Sequence, residues 1–347
     1  TKNVLAKTKR ECQEKLKQLR ETVTGPRTEK VRPEMPFGEW LDFWYQNYVK
    51  PQIRPTTQAN YEAKIYQHII PELGKIPLNQ LAQKDLQQFY ARMKTAGRLI
   101  RTEQFGKGLS DSMVRGLHAA CRSALEKAVQ EELIRTNPAV GCKLPPKRGR
   151  EMQVLGREEL QRFLIQAKAD GYFELFLLEL TTGLRRGELL ALLWTDLDVE
   201  NMTISVSKQV NRINGELVVS QPKTPNSVRK LAIPQRAVEL LVEEHAKHPH
   251  SPYLFVSPKT GTMFDPDSFR HTHEKILKAI GAEHIRFHDL RHTFATLSLK
   301  YGVDVKTLSG ALGHYDAGFT LSTYTHATEG MKRSAADTIG SVISQTM

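Results

Sequence analysis

A basic, proline-containing stretch near the middle of the chain, KLPPKRGR at residues 143–150, most constrains how the chain can fold. Prolines hold such a stretch extended and semi-rigid, so it is expected to connect two separately folded regions. The length of 347 residues agrees, because a chain of this size usually forms two domains. We therefore place an interdomain linker at 143–155, between one domain at 34–142 and another at 156–328.

The region before the linker carries the periodicity of helices. Five large apolar side chains follow the spacing of one helical face, and we interpret them as core: Phe37, Trp40, Leu41, Trp44 and Tyr48. Further helices are predicted at about 56–70, 82–97 and 110–134, the last of them stopped by Asn137-Pro138. Because little in this region alternates with a period of two, the domain is predicted to be all-helical.

The region after the linker combines helical patterns with a short alternating stretch. Met202–Pro234 is rich in Val, Ile and alternating residues, and it predicts three short strands, near 202–207, 216–220 and 229–233. Helical patterns return at 234–247, 266–280, 290–301 and 304–312. The predicted fold is therefore mostly α with a small antiparallel sheet, in which an all-helical domain is followed by an α+β domain.

The positive charge of the chain is confined to its first part. The formal net charge is +12; residues 1–150 hold 28 Lys and Arg against 15 Asp and Glu, whereas residues 151–347 hold 22 against 23. Solubilising charge seldom concentrates in this way, so a module that binds a polyanion, DNA or RNA, is the favoured interpretation. The predicted phosphate contacts lie around a glycine-containing connection and in the linker: Arg92, Lys94, Arg98, Arg101, Lys107, Lys147 and Arg148.

Several classes of protein are disfavoured by patterns that the sequence lacks. No run of about 18 apolar residues is present, and Thr1–Arg10 lacks the apolar stretch of a secretory signal. The three cysteines form no CxxC pair, and the histidines of HAKHPH and HTH have no HExxH pattern, so neither disulfides nor a metal site are expected. A phosphate-binding GxxxxGK(S/T) loop is also missing, which disfavours ATP-driven chemistry.

Two stretches of the second domain hold basic residues in places suited to anions. In TTGLRRGELLALL, at 181–193, Gly183 permits a sharp turn, and Arg185 follows near the start of a helix, where an arginine adds donors to an anion-binding helix end. In QPKTPNSVRKLAIP, at 221–234, we place Lys223 at the tip of a hairpin, within reach of a neighbouring groove. Each stretch alone also fits a surface arginine or an ordinary turn lysine.

Two further stretches hold histidines and a tyrosine. In HDLRH, the i, i+3 spacing puts His288 and Arg291 on one helical face, which pairs a group that exchanges protons near neutrality with a fixed cation. In LGHYDAGFTLSTYTH, His314 is followed ten residues later by Tyr324. A lone histidine or tyrosine in such a place is more often a core residue, so only the combination is informative.

Together, the four stretches resemble the signature of the tyrosine recombinases, also called the phage integrase family. The matching positions are Arg185 in TGLRRGE, Lys223, His288 and Arg291 in HxxR, His314 in LGH, and Tyr324 before TH. The resemblance runs over most of the chain and is strongest to integrases of conjugative transposons and temperate phages of Gram-positive bacteria. It implies a helical core-binding DNA domain at 34–142 and a tyrosine-recombinase catalytic domain at 156–328.

The resemblance also implies how the two ends of the chain are used. The charged helix KTKRECQEKLKQLRETV, at 7–23, resembles the end of an arm-type DNA-binding domain. Residues 1–33 are therefore expected to be a coupling helix and linker that follow a missing arm-binding domain. An apolar stripe within 329–347 either packs on its own domain or, as the family favours, docks on a neighbouring protomer; its members are Met331, Ala335, Ile339, Val342 and Ile343.

The implied reaction breaks and remakes a phosphodiester without water or ATP. Tyr324 attacks the scissile phosphorus, releases a 5′-hydroxyl and forms a 3′-phosphotyrosyl bond, which the partner strand's 5′-hydroxyl reverses. Arg185 and Arg291 meet the negative charge of the transition state. His288 accepts the proton of the phenol, whose ordinary pKa of about 10 calls for such help, and Lys223 protonates the leaving oxygen.

Supporting residues and partners follow from the same resemblance. His314 is expected to hydrogen-bond a non-bridging oxygen, Glu188 and Asp289 to hold an arginine or histidine in place, and no metal or nucleotide cofactor is needed. The expected partners are double-stranded DNA, with core sites at the element ends and in the target, further copies of the chain in a dimer to tetramer on DNA, and accessory DNA-bending or excision proteins. The expected location is the bacterial cytoplasm, at the nucleoid.

Two other functions stay open at this point. A type IB topoisomerase uses the same chemistry but relaxes one duplex, and the separate helical domain and the C-terminal stripe favour a recombinase over it. A non-catalytic DNA-binding regulator would have a degenerate active site, whereas all six matching residues are present. We therefore predict an integrase that integrates and excises a mobile element.

Overall fold

The computed structural model describes residues 31–147, 152–213, 215–222, 225–324, 336–337 and 339–344. The chain forms two compact units, and the division falls after Gly149, inside the stretch predicted as the linker. The domain boundaries themselves stay predictions. The helix predicted over 7–23 lies outside the described residues.

The first unit is built from helices. Their bounds are Phe37–Trp44 (α1), Pro55–Lys64 (α2), Ile70–Leu73 (α3), Gln83–Ala96 (α4), Thr102–Phe105 (α5) and Asp111–Gln130 (α6). Short π-helical turns at Tyr45–Val49 and Ile65–Ile69 extend α1 and α2. Within residues 31–147, β-pairing is limited to one isolated bridge between Pro36 and Pro77, so the prediction of an all-helical domain is confirmed for that range.

The aromatic stripe of α1 forms part of the core of this unit. Phe37, Trp40 and Leu41 are fully buried, and Trp44 is 3% exposed, as their spacing predicts. The indole Nε1 of Trp40 donates to the carbonyl of Ala124 at 2.9 Å, which ties α1 to α6. These four side chains therefore serve packing, and the three aromatic rings leave almost no surface for stacking on bases.

The second unit contains most of the helices and all of the named strands. The helices are Arg157–Ala169 (α7), Phe173–Thr182 (α8), Arg186–Leu189 (α9), Gln235–Ala246 (α10), Pro266–Ala279 (α11), Phe287–Lys300 (α12), Val305–Leu312 (α13) and Ala317–Thr323 (α14). Further helical residues occur at 336–337 and 339–344. In the parts of the chain that are described, no helix combines the length and the apolar character needed to cross a membrane.

Two small antiparallel sheets replace the single sheet that we predicted. The strands are Leu197–Asp198 (β1), Thr203–Val206 (β2), Gln209–Ile213 (β3), Glu216–Ser220 (β4) and Arg229–Ala232 (β5). β2 lies between β1 and β5, with Ile204 opposite Leu231, whereas β3 pairs only with β4. The prediction omitted β1 and β3, because β1 has two residues and β3, QVNRI, is too polar to show a clear alternation.

The hairpin turn also lies elsewhere than predicted. β3 and β4 are joined around Gly215, whose φ of +88° suits a tight turn. β4 and β5 belong to different sheets, so they are not the two strands of one hairpin. Lys223, which we had placed at the tip of such a hairpin, lies outside the described residues, so its position stays a prediction.

Helix α12 is fixed along its length by two apolar clusters. Leu290, near its start, belongs to the main core of the unit together with Phe176 and Phe269, all fully buried. Ala295 and Leu299, farther along, belong to a smaller cluster with Leu308, Leu312 and Tyr324. α12 therefore gives a rigid support to the polar residues that it carries between these anchors.

Candidate active site

Arg185 is positioned by a turn that requires glycine. Gly183 ends α8 with a φ of +61°, and a Cβ there would lie 2.4 Å from the ring of Phe294. The turn places Arg185 at the start of α9, where its Nη1 contacts Glu188 Oε1 at 2.7 Å and its backbone N–H donates to Glu188 Oε2 at 3.0 Å. Its Nη2 donates to the carbonyl of Gly313 at 3.1 Å.

Glu188 holds a second arginine that the sequence analysis did not identify. Arg229 donates from Nη2 to Glu188 Oε2 at 2.9 Å and from Nε to the carbonyl of Ala311 at 2.7 Å. Burial of Glu188 raises its pKa, but the hydrogen bond and charge of Arg229, and then the charge of Arg185, leave the pKa below its usual range. Glu188 is therefore an ionised carboxylate shared by two guanidiniums.

Arg291 is a buried cation that faces backbone carbonyls. Its side chain is 2% exposed, and it donates from Nη1 to Gly183 at 2.7 Å and from Nη2 to Leu312 at 2.5 Å. Burial, followed by the charge of Arg185, lowers the pKa of Arg291 to about 10, so the group remains protonated at neutral pH.

The positive charge of Arg185, Arg229 and Arg291 is only partly balanced by carboxylates. Glu179 is fully buried, and neither carboxyl oxygen has a hydrogen-bond partner among the residues that the structure describes. Burial raises the pKa of Glu179 well above its usual range, although the charge of Arg291 opposes this, so burial favours the neutral form of Glu179. Within the described residues here, three guanidiniums thus meet one ionised carboxylate, an excess of about two positive charges that suits a phosphate.

Two histidines of α12 stand beside the arginine cluster. The rings of His288 and His292 are 4.7 Å apart in an edge-to-face arrangement. His288 is exposed at the surface of the unit. Partial loss of hydration, and then the charges of His292 and Arg291, lower the pKa of His288 to about 4, so it is neutral at pH 7 and able to accept a proton.

His314 is held at the end of α13. Gly313 ends that helix with a φ of +61°, and the backbone N–H of His314 then donates to the carbonyl of Ser309 at 3.1 Å. The ring Nδ1 lies 2.7 Å from Thr320 Oγ1. Burial, followed by the charges of Arg291 and Arg185, lowers the pKa of His314 to about 4.

Tyr324 is buried and does not point into solvent. Its side chain is 1% exposed, and its hydroxyl lies 2.9 Å from Nδ1 of His292. Burial raises the pKa of Tyr324 to about 12, although the charge of Arg291 acts in the other direction. In contrast, Tyr301 and Tyr315 are 79% and 81% exposed, so solvent reaches both side chains freely.

Asp289 contacts a different arginine from those of the cluster. Its Oδ2 accepts from Arg286 Nε at 2.8 Å and from the Arg286 backbone N–H at 2.8 Å, which caps the start of α12. Burial raises the pKa of Asp289, but these hydrogen bonds lower it below its usual range. Asp289 thus holds Arg286, whereas Glu188 holds Arg185 and Arg229.

The basic residues predicted to contact DNA lie on the surface of the first unit in varied settings. Arg92 contacts Glu72 at 3.0 Å and Lys94 contacts Asp111 at 2.5 Å, and such exposed ion pairs are worth only about 1 kcal/mol or less. Arg98 lies over the ring of Phe105. Arg101, Lys107 and Lys147 are exposed, and Arg148 lies outside the described residues. Their role in DNA binding stays a prediction.

Three residues of the site were missed by sequence reasoning. Arg229 begins a strand, where a charged residue usually faces solvent, so no local signal marks it. Glu179 lies within an apolar helix and gives no signal either. His292 could have been found, because it follows His288 by four residues and therefore shares its helical face.

Comparison with known sequences identifies both units. Residues 154–331 match the model of the phage integrase family, and residues 36–94 match that of the phage integrase N-terminal SAM-like domain. The tyrosine recombinase XerC-like protein of Caldanaerobacter subterraneus subsp. tengcongensis is 26% identical over 336 residues, which cover 88% of this chain and 83% of that protein. The ICEBs1 integrase of Bacillus subtilis is 26% identical over 303 residues, which cover 84% and 79%.

Solved structures share the fold. The Tn1549 transposon integrase, solved in complex with a circular intermediate DNA, aligns with a TM-score of 0.71 and 21% identity over 87% of this chain and 99% of that chain. A lambda integrase tetramer bound to a Holliday junction aligns with a TM-score of 0.62 and 18% identity, over 91% and 90%. With the two sequence matches, which span more than half of its residues, the chain belongs to the phage integrase family and is an enzyme of the tyrosine recombinase class.

Proposed function

We propose that this chain is a site-specific DNA recombinase that integrates and excises a mobile element. The observation that carries the proposal is the cluster of Arg185, Arg229 and Arg291 around one ionised carboxylate, next to neutral histidines and a tyrosine. A scissile phosphate supplies the negative charge that this cluster lacks. The names of similar proteins, a transposon integrase and the ICEBs1 integrase, point to mobile elements as the substrate.

Strand cleavage begins with the phenol of Tyr324. Its oxygen attacks the scissile phosphorus, the bond to the 5′-oxygen breaks, and the DNA 3′ end stays attached as a phosphotyrosine. The 5′-hydroxyl of a partner strand then attacks the same phosphorus and releases Tyr324. Because Tyr324 is 1% exposed in the free protein, it must leave its buried position before the first step.

Arg185 and Arg291 bind the non-bridging oxygens of the phosphate. A guanidinium has five N–H donors, and the two hydrogen bonds of Arg291 to Gly183 and Leu312 leave others for a ligand. The charge that develops in the transition state strengthens these contacts. Arg229, whose side chain is 7% exposed, acts behind them by holding Glu188 and the end of α13.

Proton transfer falls to the remaining residues. His288 accepts the proton of Tyr324, since its imidazole is neutral at pH 7. Lys223 protonates the leaving 5′-oxygen, and His314, held by Thr320, hydrogen-bonds a non-bridging oxygen. No step requires a metal or a nucleotide.

Recombination requires several copies of the chain on two duplexes. The lambda integrase has been solved as a tetramer on a Holliday junction, and we extend that dimer-to-tetramer assembly to this chain. Ile339, Val342 and Ile343 are 61%, 57% and 54% exposed, which supports docking of segment 329–347 on a neighbouring protomer over packing on its own domain. The assembly works on chromosomal DNA in the bacterial cytoplasm, at the nucleoid, with DNA-bending or excision proteins as accessory factors.

The experiment that tests this function traps the covalent intermediate. The protein is incubated with labelled duplexes that carry a nick beside the cut site, so that the short 5′ product diffuses away and resealing fails. Adducts are scored as slower, protease-sensitive bands on a denaturing gel. Wild type and the exposed-tyrosine controls Tyr301→Phe and Tyr315→Phe are expected to form adducts, and Tyr324→Phe is not. An adduct that persists in Tyr324→Phe rules out this nucleophile, and adducts on duplexes of unrelated sequence favour a topoisomerase.

A further inference from the structure

His292 touches the proposed nucleophile, although it is not one of the six residues of the family signature in this chain. Its Nδ1 lies 2.9 Å from the hydroxyl of Tyr324, and the two rings meet edge to face at a centroid distance of 5.6 Å. His288, the residue predicted to take the proton, instead contacts the ring of His292. The hydroxyl of Tyr324 therefore has a specific partner in the free protein, and that partner is not His288.

Tyr324 is enclosed by apolar side chains. The side chain is 1% exposed and packs in one cluster with Ala295, Leu299, Leu308 and Leu312. A DNA phosphate cannot approach a phenol oxygen that is enclosed in this way. The hydrogen bond to His292 therefore belongs to a state that precedes cleavage.

The protonation of both groups allows the phenol to donate this hydrogen bond. Burial lowers the pKa of His292, and burial raises the pKa of Tyr324 to about 12. At neutral pH the imidazole is thus neutral and the phenol is protonated. With the imidazole proton on Nε2, the phenol O–H donates and the lone pair of Nδ1 accepts.

We propose that His292 is a positioning residue that holds Tyr324 in its buried resting position, and that this hydrogen bond breaks before the phenol reaches the scissile phosphate. The proposal rests on the proposed function, in which Tyr324 is the nucleophile. Without the acceptor, the buried hydroxyl would lack a partner, which destabilises the buried state by a factor of roughly five to a hundred. The apolar cluster alone would then hold the ring less firmly.

Three substitutions separate the hydrogen bond from the volume of the side chain. His292→Leu keeps an apolar side chain of similar size and removes the acceptor. His292→Asn places an amide oxygen near the position of Nδ1, so it preserves the bond. His292→Gln extends its amide toward the position of Nε2 and is expected to behave like His292→Leu, so it also replaces that variant if it folds poorly.

The exposure of Tyr324 is read by nitration with tetranitromethane in the absence of DNA, followed by peptide mapping. Tyr301 and Tyr315 serve as internal references, because they are 79% and 81% exposed in the same unit. Relative to these references, nitration of Tyr324 is expected to rise about fivefold or more in His292→Leu and His292→Gln, and to stay near the wild-type rate in His292→Asn. Equal rates in wild type and both acceptor-free variants, or an equal rise in His292→Asn, would overturn the proposal.

A second readout keeps this proposal separate from the proposed function. Covalent adducts are measured for the same variants on nicked duplex DNA. If nitration follows the expected order but wild type forms no adduct on its element's DNA, the proposed function fails and the positioning role stands. If wild type forms adducts while the acceptor-free variants leave Tyr324 as protected as before, the positioning role fails and the proposed function stands.

Discussion

Removal of Arg229 should destabilise the second unit far more than removal of a surface arginine does. The Arg229 side chain is 7% exposed and its partner Glu188 is 1% exposed, so Arg229→Met leaves a buried carboxylate with one arginine in place of two. Breaking such a pair typically costs about 3–5 kcal/mol, and Arg185 offsets part of that cost. We therefore expect a loss of about 2–4 kcal/mol in the free energy of unfolding.

The matched control is Arg236→Met, because Arg236 pairs with Glu239 on the surface, at 67% and 44% exposure. An exposed pair contributes about 1 kcal/mol or less. The assay is a urea titration in which unfolding is monitored by hydrogen exchange in peptides of the second unit. Unfolding of the first unit then does not contribute to the measured transition. In Arg229→Met combined with Glu188→Gln, the loss should be smaller than the sum of the two single losses. A loss no larger than that of Arg236→Met, or strict additivity, would refute the assignment of a buried shared carboxylate.

Two more predictions concern the charge of each unit. Burial raises the pKa of Glu179, so its ionisation opposes folding as the pH rises. Glu179→Gln should therefore stabilise the second unit at pH 7–8 in the same urea assay. This gain should vanish below about pH 4, where the carboxyl is protonated in both the folded and the unfolded chain. A gain that is independent of pH would contradict this sign. In the first unit, Lys107→Gln should reduce the slope of log K against log salt for duplex DNA by roughly one, whereas Arg236→Gln should leave it unchanged. An unchanged slope for Lys107→Gln would remove this residue from the set of phosphate contacts.

The family, the fold class and the class of enzyme could be predicted from the sequence, because short motifs carry them. HDLRH specifies both a helix and the side on which His288 and Arg291 lie, and the helix is observed, although it begins at Phe287 and not at 290. The earlier start follows from Asp289, which accepts the backbone N–H of Arg286 and so caps the first turn. That capping residue was present in the motif and could have been used.

The sheets were harder to predict, because short strands depend on partners that are distant in the chain. β5 pairs with β2 across the whole β3–β4 hairpin, and an alternating run alone does not reveal which strands pair. The turn at Gly215 follows Asn214 in the sequence, and this Asn-Gly pair is a hairpin signal that would have located β3.

The contacts that define the site could not be predicted, since each joins residues that no periodicity relates. Arg229 is 41 residues from Glu188, and Tyr324 is 32 residues from His292. The sequence indicates that such residues are present, but only the packing of distant elements, such as β5 with α9 and Tyr324 with α12, decides which of them touch.

The carboxylate of Glu188 has a consequence for how the unit acquires its function during folding. It is linked through Arg185 to Gly313, which lies 128 residues from Arg185 in the chain, and through Arg229 to Ala311. The Arg185–Glu188 contact is local, but the bonds to Gly313 and Ala311 cannot form until distant parts of the unit have come together. Contacts of such separation form late because loop closure is slow. A partly folded chain therefore contains the catalytic side chains but not their active arrangement. Strand cleavage is restricted to molecules that have finished folding.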